Sequence, residues 1–338
     1  MLNRGLFLDA DHHLQIKEMP MPEPKEGQVL IKMAANGICG SDIHYYVDGK
    51  LGHKHVTTPY VPGHEASGTI AGVGKGCKYL KEGMRVAIEP GTPCGYCDFC
   101  KAGRYNMCRE MHFLSSPPIN GTLCDYVVLP EHLAFPIPDT LSLEDASLAE
   151  PAAVGIHAVN QVRGNLLGIS GVIVGAGPIG LMTLQAFKAA GGGKAYCVDY
   201  IDKRLEAAKV LGADVICKPG DPVLKKAGDA VFECAGSTEA TKGLIEKTKR
   251  GGSIVQVGWP EDIDVAIDIA SLLDQEITYT GIYRYANCYP AAVTWLGDGR
   301  LRSEGVITHR FSFEEGAKAF EWAANNKKAS VKTVILND

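Results

Sequence analysis

Residues 171–187, GVIVGAGPIGLMTLQAF, put a G-x-G-x-x-G pattern at Gly175, Gly177 and Gly180 between a β-branched run and a helical one. That context is what a phosphate-cradling turn requires. Gly175 permits the tight turn, Gly177 lets backbone approach a pyrophosphate, and Gly180 allows close packing of helix on strand. Pro178 opens the helix with Ile179 behind it, and the helix N-terminus offers free N–H donors to phosphate oxygens. Strand-like and helical runs then alternate through AYCVDY, DKRLEAAKVLGAD, DAVFECAG, TEATKGLIEKTK and GGSIVQVG. Repeated βα units with right-handed crossovers predict a doubly wound parallel sheet over roughly residues 151–290.

At the end of the second strand, Asp199 stands about twenty residues beyond the last glycine, where a carboxylate accepts from the adenosine ribose 2′-hydroxyl. A 2′-phosphate would meet negative charge there, so the expected cofactor is NAD in preference to NADP. Arg204 lies close enough in sequence to bear on that choice. The uncharged stretch 164–187 has the length of a membrane span, but its recurrent glycines and central Pro178 suit strand, turn and helix. No membrane association is expected.

The first 130 residues have another texture: short apolar runs such as GQVLIKMAANGI, SGTIAGVG, GMRVAIEP and GTLCDYVVLP, each bounded by glycine or proline. A β-rich domain over residues 1–150 follows, with Ser142 and Asp145 forming a capping-box signature where helical periodicity begins. The segment from about 291 to 338 returns to a helix and a β-rich end that completes the first domain. The whole is an α/β chain of two domains. Its 338 residues, 22% charged with a formal net charge of −5, resemble neither a disordered tail nor a basic nucleic-acid surface. The opening residues reach Asp9 and Asp11 too soon for a secretory signal, so a cytoplasmic location is expected.

Eleven cysteines in so long a chain suggest metal ligands and buried thiols in place of a disulfide scaffold. Cys94, Cys97, Cys100 and Cys108 follow C-x2-C-x2-C-x7-C, a spacing that can place four thiolates around Zn²⁺. Four thiolates fill the shell, so such a metal stiffens a loop and activates nothing. The spacing departs from the ferredoxin run, and no basic patch accompanies it as a nucleic-acid-binding ribbon would need. Cys77, Cys124, Cys197, Cys217, Cys234 and Cys288 are expected to be small buried hydrophobes. Chemistry is sought instead in GICGSDIHYY and PGHEASG, where Cys39, His64 and Glu65 offer sulfur, imidazole and carboxylate with one position left open.

These stretches, with the four-cysteine loop, EPAAVGIHA, GAGPIG, VDY, GIYRYANCYP and THRFSFEEGAKAF, occur in the order found in zinc-dependent medium-chain dehydrogenases. The chain most resembles their sorbitol (L-iditol, polyol) dehydrogenase branch over nearly its full length. The resemblance implies a GroES-like catalytic domain, a Rossmann NAD-binding domain, two zinc ions per subunit and a homotetramer. It makes Cys39, His64 and Glu65 the catalytic zinc ligands, and Glu150 a further ligand or the holder of the zinc's water. Ser41 and His44 match a relay that passes the alcohol proton to solvent, and Asp42 a carboxylate that orients His64. Tyr45, Arg284 and Tyr285 match positions that contact polyol hydroxyls, and Phe113 the apolar wall of the substrate cleft.

Two departures stand out. Some members, notably animal ones, lack the full cysteine loop that this chain keeps, and the segment VICKPGDPVLKKAGDAVFEC is short, which predicts a truncated helix. The implied reaction moves a hydride from a secondary alcohol of a polyol to NAD, giving a ketose. A sugar-alcohol phosphate, with Arg284 as phosphate donor, or threonine is the alternative substrate. A non-catalytic NAD-binding protein is the rival of another class; the intact set Cys39, Ser41, His44, His64 and Glu65 argues against it.

Overall fold

The computed structural model describes residues 2–260, 262 and 264–337. The chain divides into two compact units, one of residues 1–150, 292–297 and 307–338, the other of 151–291 and 298–306.

In the first unit the long strand Gln28–Gly37 is the axis of a seven-stranded sheet. Its alternate residues Val29, Ile31, Met33 and Ala35 are buried, as the two-residue period of a pleated strand dictates. One edge pairs antiparallel with Glu65–Val73. The other is shared: Tyr126–Pro130 lies opposite residues 28–32, and the C-terminal strand Lys332–Leu336 opposite residues 35–37. Ile70, Val86, Ile88, Leu129, Phe313 and Phe320 close the core around this axis. Each such side chain contributes about 1.5–3 kcal/mol by leaving water. An N-terminal hairpin, Asn3–Leu8 with Leu14–Met19, adds Leu6 and Leu8 to the buried set; the sequence reading did not assign it.

One pairing and one helix cap at the end of the axial strand position the site. Gly37 faces Glu65, and a Cβ on Gly37 would lie 2.2 Å from a Glu65 carboxylate oxygen, so only glycine leaves room for that side chain. Just beyond, Cys39 caps the helix Gly40–Asp48, which Gly49 ends in the left-handed region at φ 67°. This helix was also absent from the sequence reading.

The second unit holds a six-stranded, wholly parallel sheet in the order Val215–Cys217, Ala195–Val198, Gly171–Val174, Gly228–Glu233, Thr248–Gln256, Thr278–Gly281. The chain runs outward in both directions from Gly171–Val174 and Gly228–Glu233, so the strand order reverses between them, and ligands of such sheets bind at that reversal. Phe187 packs edge-on to Phe232 at 6.0 Å beneath it. As the short segment predicts, only the 3₁₀ turn Pro222–Leu224 bridges Cys217 and Gly228. The single helix expected over TEATKGLIEKTK is two, Thr238–Lys242 and Leu244–Lys247, parted at Gly243, where the residue of greatest backbone freedom interrupts the ladder. No helix of the described residues is long and apolar enough to cross a membrane.

Candidate active site

The helix Gly40–Asp48 sorts its residues by face. Asp42 and Tyr45, three apart, are buried; Ser41 is half-buried and His44 exposed, its Nδ1 2.9 Å from Asp48 Oδ2. The backbone N–H of Cys39 donates to Asp42 Oδ2 at 3.0 Å, which ties the thiol-bearing residue to the first helical turn.

His64, just before the strand Glu65–Val73, and Glu65, its first residue, reach the same place. One donor atom each from Cys39, His64 and Glu65 all lie within 4.8 Å of one another. Sulfur, nitrogen and oxygen at this spacing fit a zinc ion with an open fourth position. His64 Nδ1 is buried without a hydrogen-bond partner and sits 3.7 Å from Asp42 Oδ1. Burial opposes a charged imidazole here, but Asp42, Cys39 and Glu150 outweigh it and push His64 up to about 10. The same anionic groups favour any positive charge placed beside them. Glu150 is buried in the first turn of helix Ala149–Val159, outside the three-atom cluster, and bears electrostatically on His64 and Lys332.

Lys332 was not anticipated. Its Nζ donates to both Glu65 carboxylate oxygens, at 2.7 and 2.6 Å, and to the Ile38 carbonyl at 3.0 Å. Burial disfavours the ammonium, yet Glu65 and Cys39 hold its pKa above the ordinary lysine value. A lysine alone within the apolar run SVKTVIL was the available signal.

The four-cysteine loop forms a second centre. Its sulfurs also lie within 4.8 Å of one another; Cys94 to Cys100 is 3.9 Å and Cys97 to Cys100 is 3.5 Å. Such gaps exceed a disulfide bond and bracket the roughly 3.8 Å edge of a tetrahedron with Zn–S bonds of about 2.3 Å. Tyr105, in the 3₁₀ turn before Cys108, donates 2.8 Å to buried Glu89, which fastens the loop to the strand Arg85–Ile88. Among the other cysteines, Cys124, Cys197, Cys217 and Cys288 are buried. Cys77 and Cys234 are only partly so; the Cys77 thiol donates to the Gln28 carbonyl at the rim of the sheet.

In the second unit, Gly175 has φ 94°, and a Cβ there would approach the Ala235 backbone to 2.7 Å. A Cβ on Gly180 would come within 1.8 Å of the Gly175 carbonyl. Gly177 differs: its Cβ would meet only an Arg204 nitrogen at 3.9 Å, so its face is open for a pyrophosphate, with Pro178 and Ile179 starting the helix Pro178–Ala189. Asp199 Oδ2 accepts from Ala176 N, and its Oδ1 from Ile201 N, both at 2.8 Å, with Arg204 Nη1 3.9 Å from Oδ2. The carboxylate thus braces the glycine turn and retains lone pairs for a ribose. The cradle fits a dinucleotide.

The residues matched to substrate contacts are distributed over both units. In the first, the Phe113 ring lies 5.6 Å from that of His64, and buried Tyr45 stands edge-on to Tyr60 at 6.1 Å. In the second, Arg284 adopts φ 55°, uncommon for a non-glycine residue, with its guanidinium 4.8 Å above the Tyr283 ring. Tyr285 is buried with its ring 5.6 Å from that of Tyr289.

Residues 25–139 match the alcohol dehydrogenase GroES-like domain, and residues 178–298 the zinc-binding dehydrogenase family. A sorbitol dehydrogenase of Bacillus subtilis is 38% identical over 98% of this chain and 96% of its own. The human sorbitol dehydrogenase is 36% identical over 94% of this chain and 92% of its own. Among solved structures, an Escherichia coli oxidoreductase/dehydrogenase of unknown specificity superposes at a TM-score of 0.92, with 35% identity and full coverage of both chains.

Proposed function

The chain belongs to the zinc-dependent medium-chain dehydrogenases, in their sorbitol dehydrogenase branch, and from that premise we propose a reaction at a secondary alcohol of a free polyol, giving a ketose and NADH. The observation that carries the reading is the open-sided donor set of Cys39, His64 and Glu65. Zinc bound there supplies Lewis acidity that lowers the pKa of a substrate hydroxyl, and NAD supplies the hydride acceptor.

The protein's own groups do the rest. Cys39, His64 and Glu65 would hold the metal, with Glu150 a further ligand or the holder of the metal's water. Ser41 takes the alcohol proton and passes it to His44, whose exposed imidazole beside Asp48 releases it to solvent. Phe113 keeps water from the face of His64. Tyr45, Arg284 and Tyr285 order the remaining substrate hydroxyls. Gly175, Gly177 and Gly180 with Pro178 and Ile179 seat the pyrophosphate, and Asp199 the adenosine ribose, with Arg204 alongside. Cys94, Cys97, Cys100 and Cys108 hold a second, structural zinc, so each chain carries two. A cytoplasmic homotetramer is the proposed assembly, in line with the family resemblance.

Replacing Cys39 with serine tests this reading. Metal content should fall from two zinc ions per chain to one, with nearly all NADH formation lost and NAD binding kept. Full turnover in that variant would overturn it.

A further inference from the structure

One buried hydroxyl outside the expected site meets the carboxylate that faces His64. Ser115 is 4% exposed and sits at φ 65°, in the left-handed region that suits glycine. A non-glycine residue there carries a conformational cost. The backbone N–H of Gly63 donates to Ser115 Oγ at 3.0 Å, and Ser115 Oγ donates its one proton to Asp42 Oδ1 at 2.8 Å. Gly63 N also approaches Asp42 Oδ1, at 3.4 Å. Asp42 is fully buried, with Oδ2 committed to the Cys39 backbone and Oδ1 3.7 Å from His64 Nδ1. Oδ1 is therefore the Asp42 oxygen that faces the His64 ring nitrogen, and the Ser115 hydroxyl makes the shorter of the two hydrogen bonds that hold it.

Resting on the zinc reading above, we propose that Ser115 is a positioning residue of the metal centre. Its hydroxyl holds Asp42 so that His64 keeps its proton on Nδ1 and presents the lone pair of Nε2 to the metal. Glycine would fit the backbone at no conformational cost, so the strained serine is explained by what its hydroxyl does. Ser115 also ties the centre to its surroundings: Phe113, two residues before, lies against the His64 ring, and Ser116, one after, accepts from Lys54.

The test compares Ser115→Gly, Ser115→Ala, Asp42→Asn and the Ser115→Gly/Asp42→Asn double variant as zinc-loaded full-length protein. The readout is the rate at which a chelator removes the metal held by Cys39, His64 and Glu65, with the four-cysteine metal as internal reference. Both serine variants should lose the first metal about 10- to 100-fold faster and the second at the unaltered rate. Ser115→Gly relieves the backbone, so its melting temperature should equal or exceed that of Ser115→Ala while the loss of metal remains. The double variant should lose metal no faster than Asp42→Asn alone. Wild-type release rates in both serine variants, or additive effects in the double variant, would overturn the proposal. A wild-type protein that takes up no metal at Cys39, His64 and Glu65 would instead overturn the functional reading beneath it.

Discussion

Lys332 Nζ lies 2.7 Å from one Glu65 carboxylate oxygen and 2.6 Å from the other, with both side chains almost wholly buried. Glu65 is thus gripped from the side of the C-terminal strand while it faces Cys39 and His64 on the other. Any cation in that cluster shares Glu65 with an ammonium. The pairing of Lys332–Leu336 with Gln28–Gly37 makes this possible, because it brings the C-terminal strand to the cluster of Cys39, His64 and Glu65.

Lys332→Met leaves Glu65 buried without its partner, a loss of about 3–5 kcal/mol for a broken buried pair. The deficit should be largest in chelated protein and shrink when zinc saturates the site, since the metal then supplies the countercharge. Denaturant titrations with and without zinc check this; an equal deficit in both contradicts it.

Glu89 gives a pH signature. Burial pushes it up to about 7 from 4.5, against the Tyr105 hydrogen bond that favours the carboxylate. The folded state then binds this proton more tightly than the unfolded state, so the stability due to Glu89 is present below about 4.5 and lost as pH rises through about 7. Glu89→Gln should match the wild type near pH 4.5 and exceed it by about 3 kcal/mol at pH 8. Unfolding curves at the two pH values decide it; a gap of equal size at both would contradict the assignment.

Asp199→Ser tests the proposed ribose contact by removing the carboxylate and its negative charge. The kcat/KM for NAD should fall about 10- to 100-fold, as expected for a lost charged hydrogen bond. The NADP to NAD ratio should rise, aided by Arg204 Nη1, 3.9 Å from the carboxylate. Steady-state kinetics with both cofactors check this, and an unmoved ratio would remove Asp199 from cofactor choice.

Where side-chain pattern and backbone demand coincide, the sequence is readable. Gly175 and Gly180 have to be glycine because Ala235 and the Gly175 carbonyl fill the space of a Cβ, and their spacing shows it. The spacing of the four cysteines is readable in the same way, since the structure brings their sulfurs within 4.8 Å of one another. Helix Gly40–Asp48 escaped because nine residues are too few to display a helical repeat in sequence, although its apolar side chains do meet cores: Tyr45 is buried with Leu8, Val56 and Tyr60, and Ile43 and Tyr46 pack against the core of the first unit. Lys332 reads as a surface residue of a strand, since lysine is so seldom buried. Ser115 left no trace, because a positive φ at serine is imposed by its surroundings and not encoded locally.

The most direct measurement is NADH formation by zinc-replete protein over a panel of sorbitol, xylitol, L-arabinitol, galactitol, galactitol 1-phosphate and L-threonine. The account predicts turnover of a free polyol, abolished in Cys39→Ser. Turnover of the phosphorylated sugar alcohol or of threonine alone, or silence across the panel with both zinc ions in place, would contradict it.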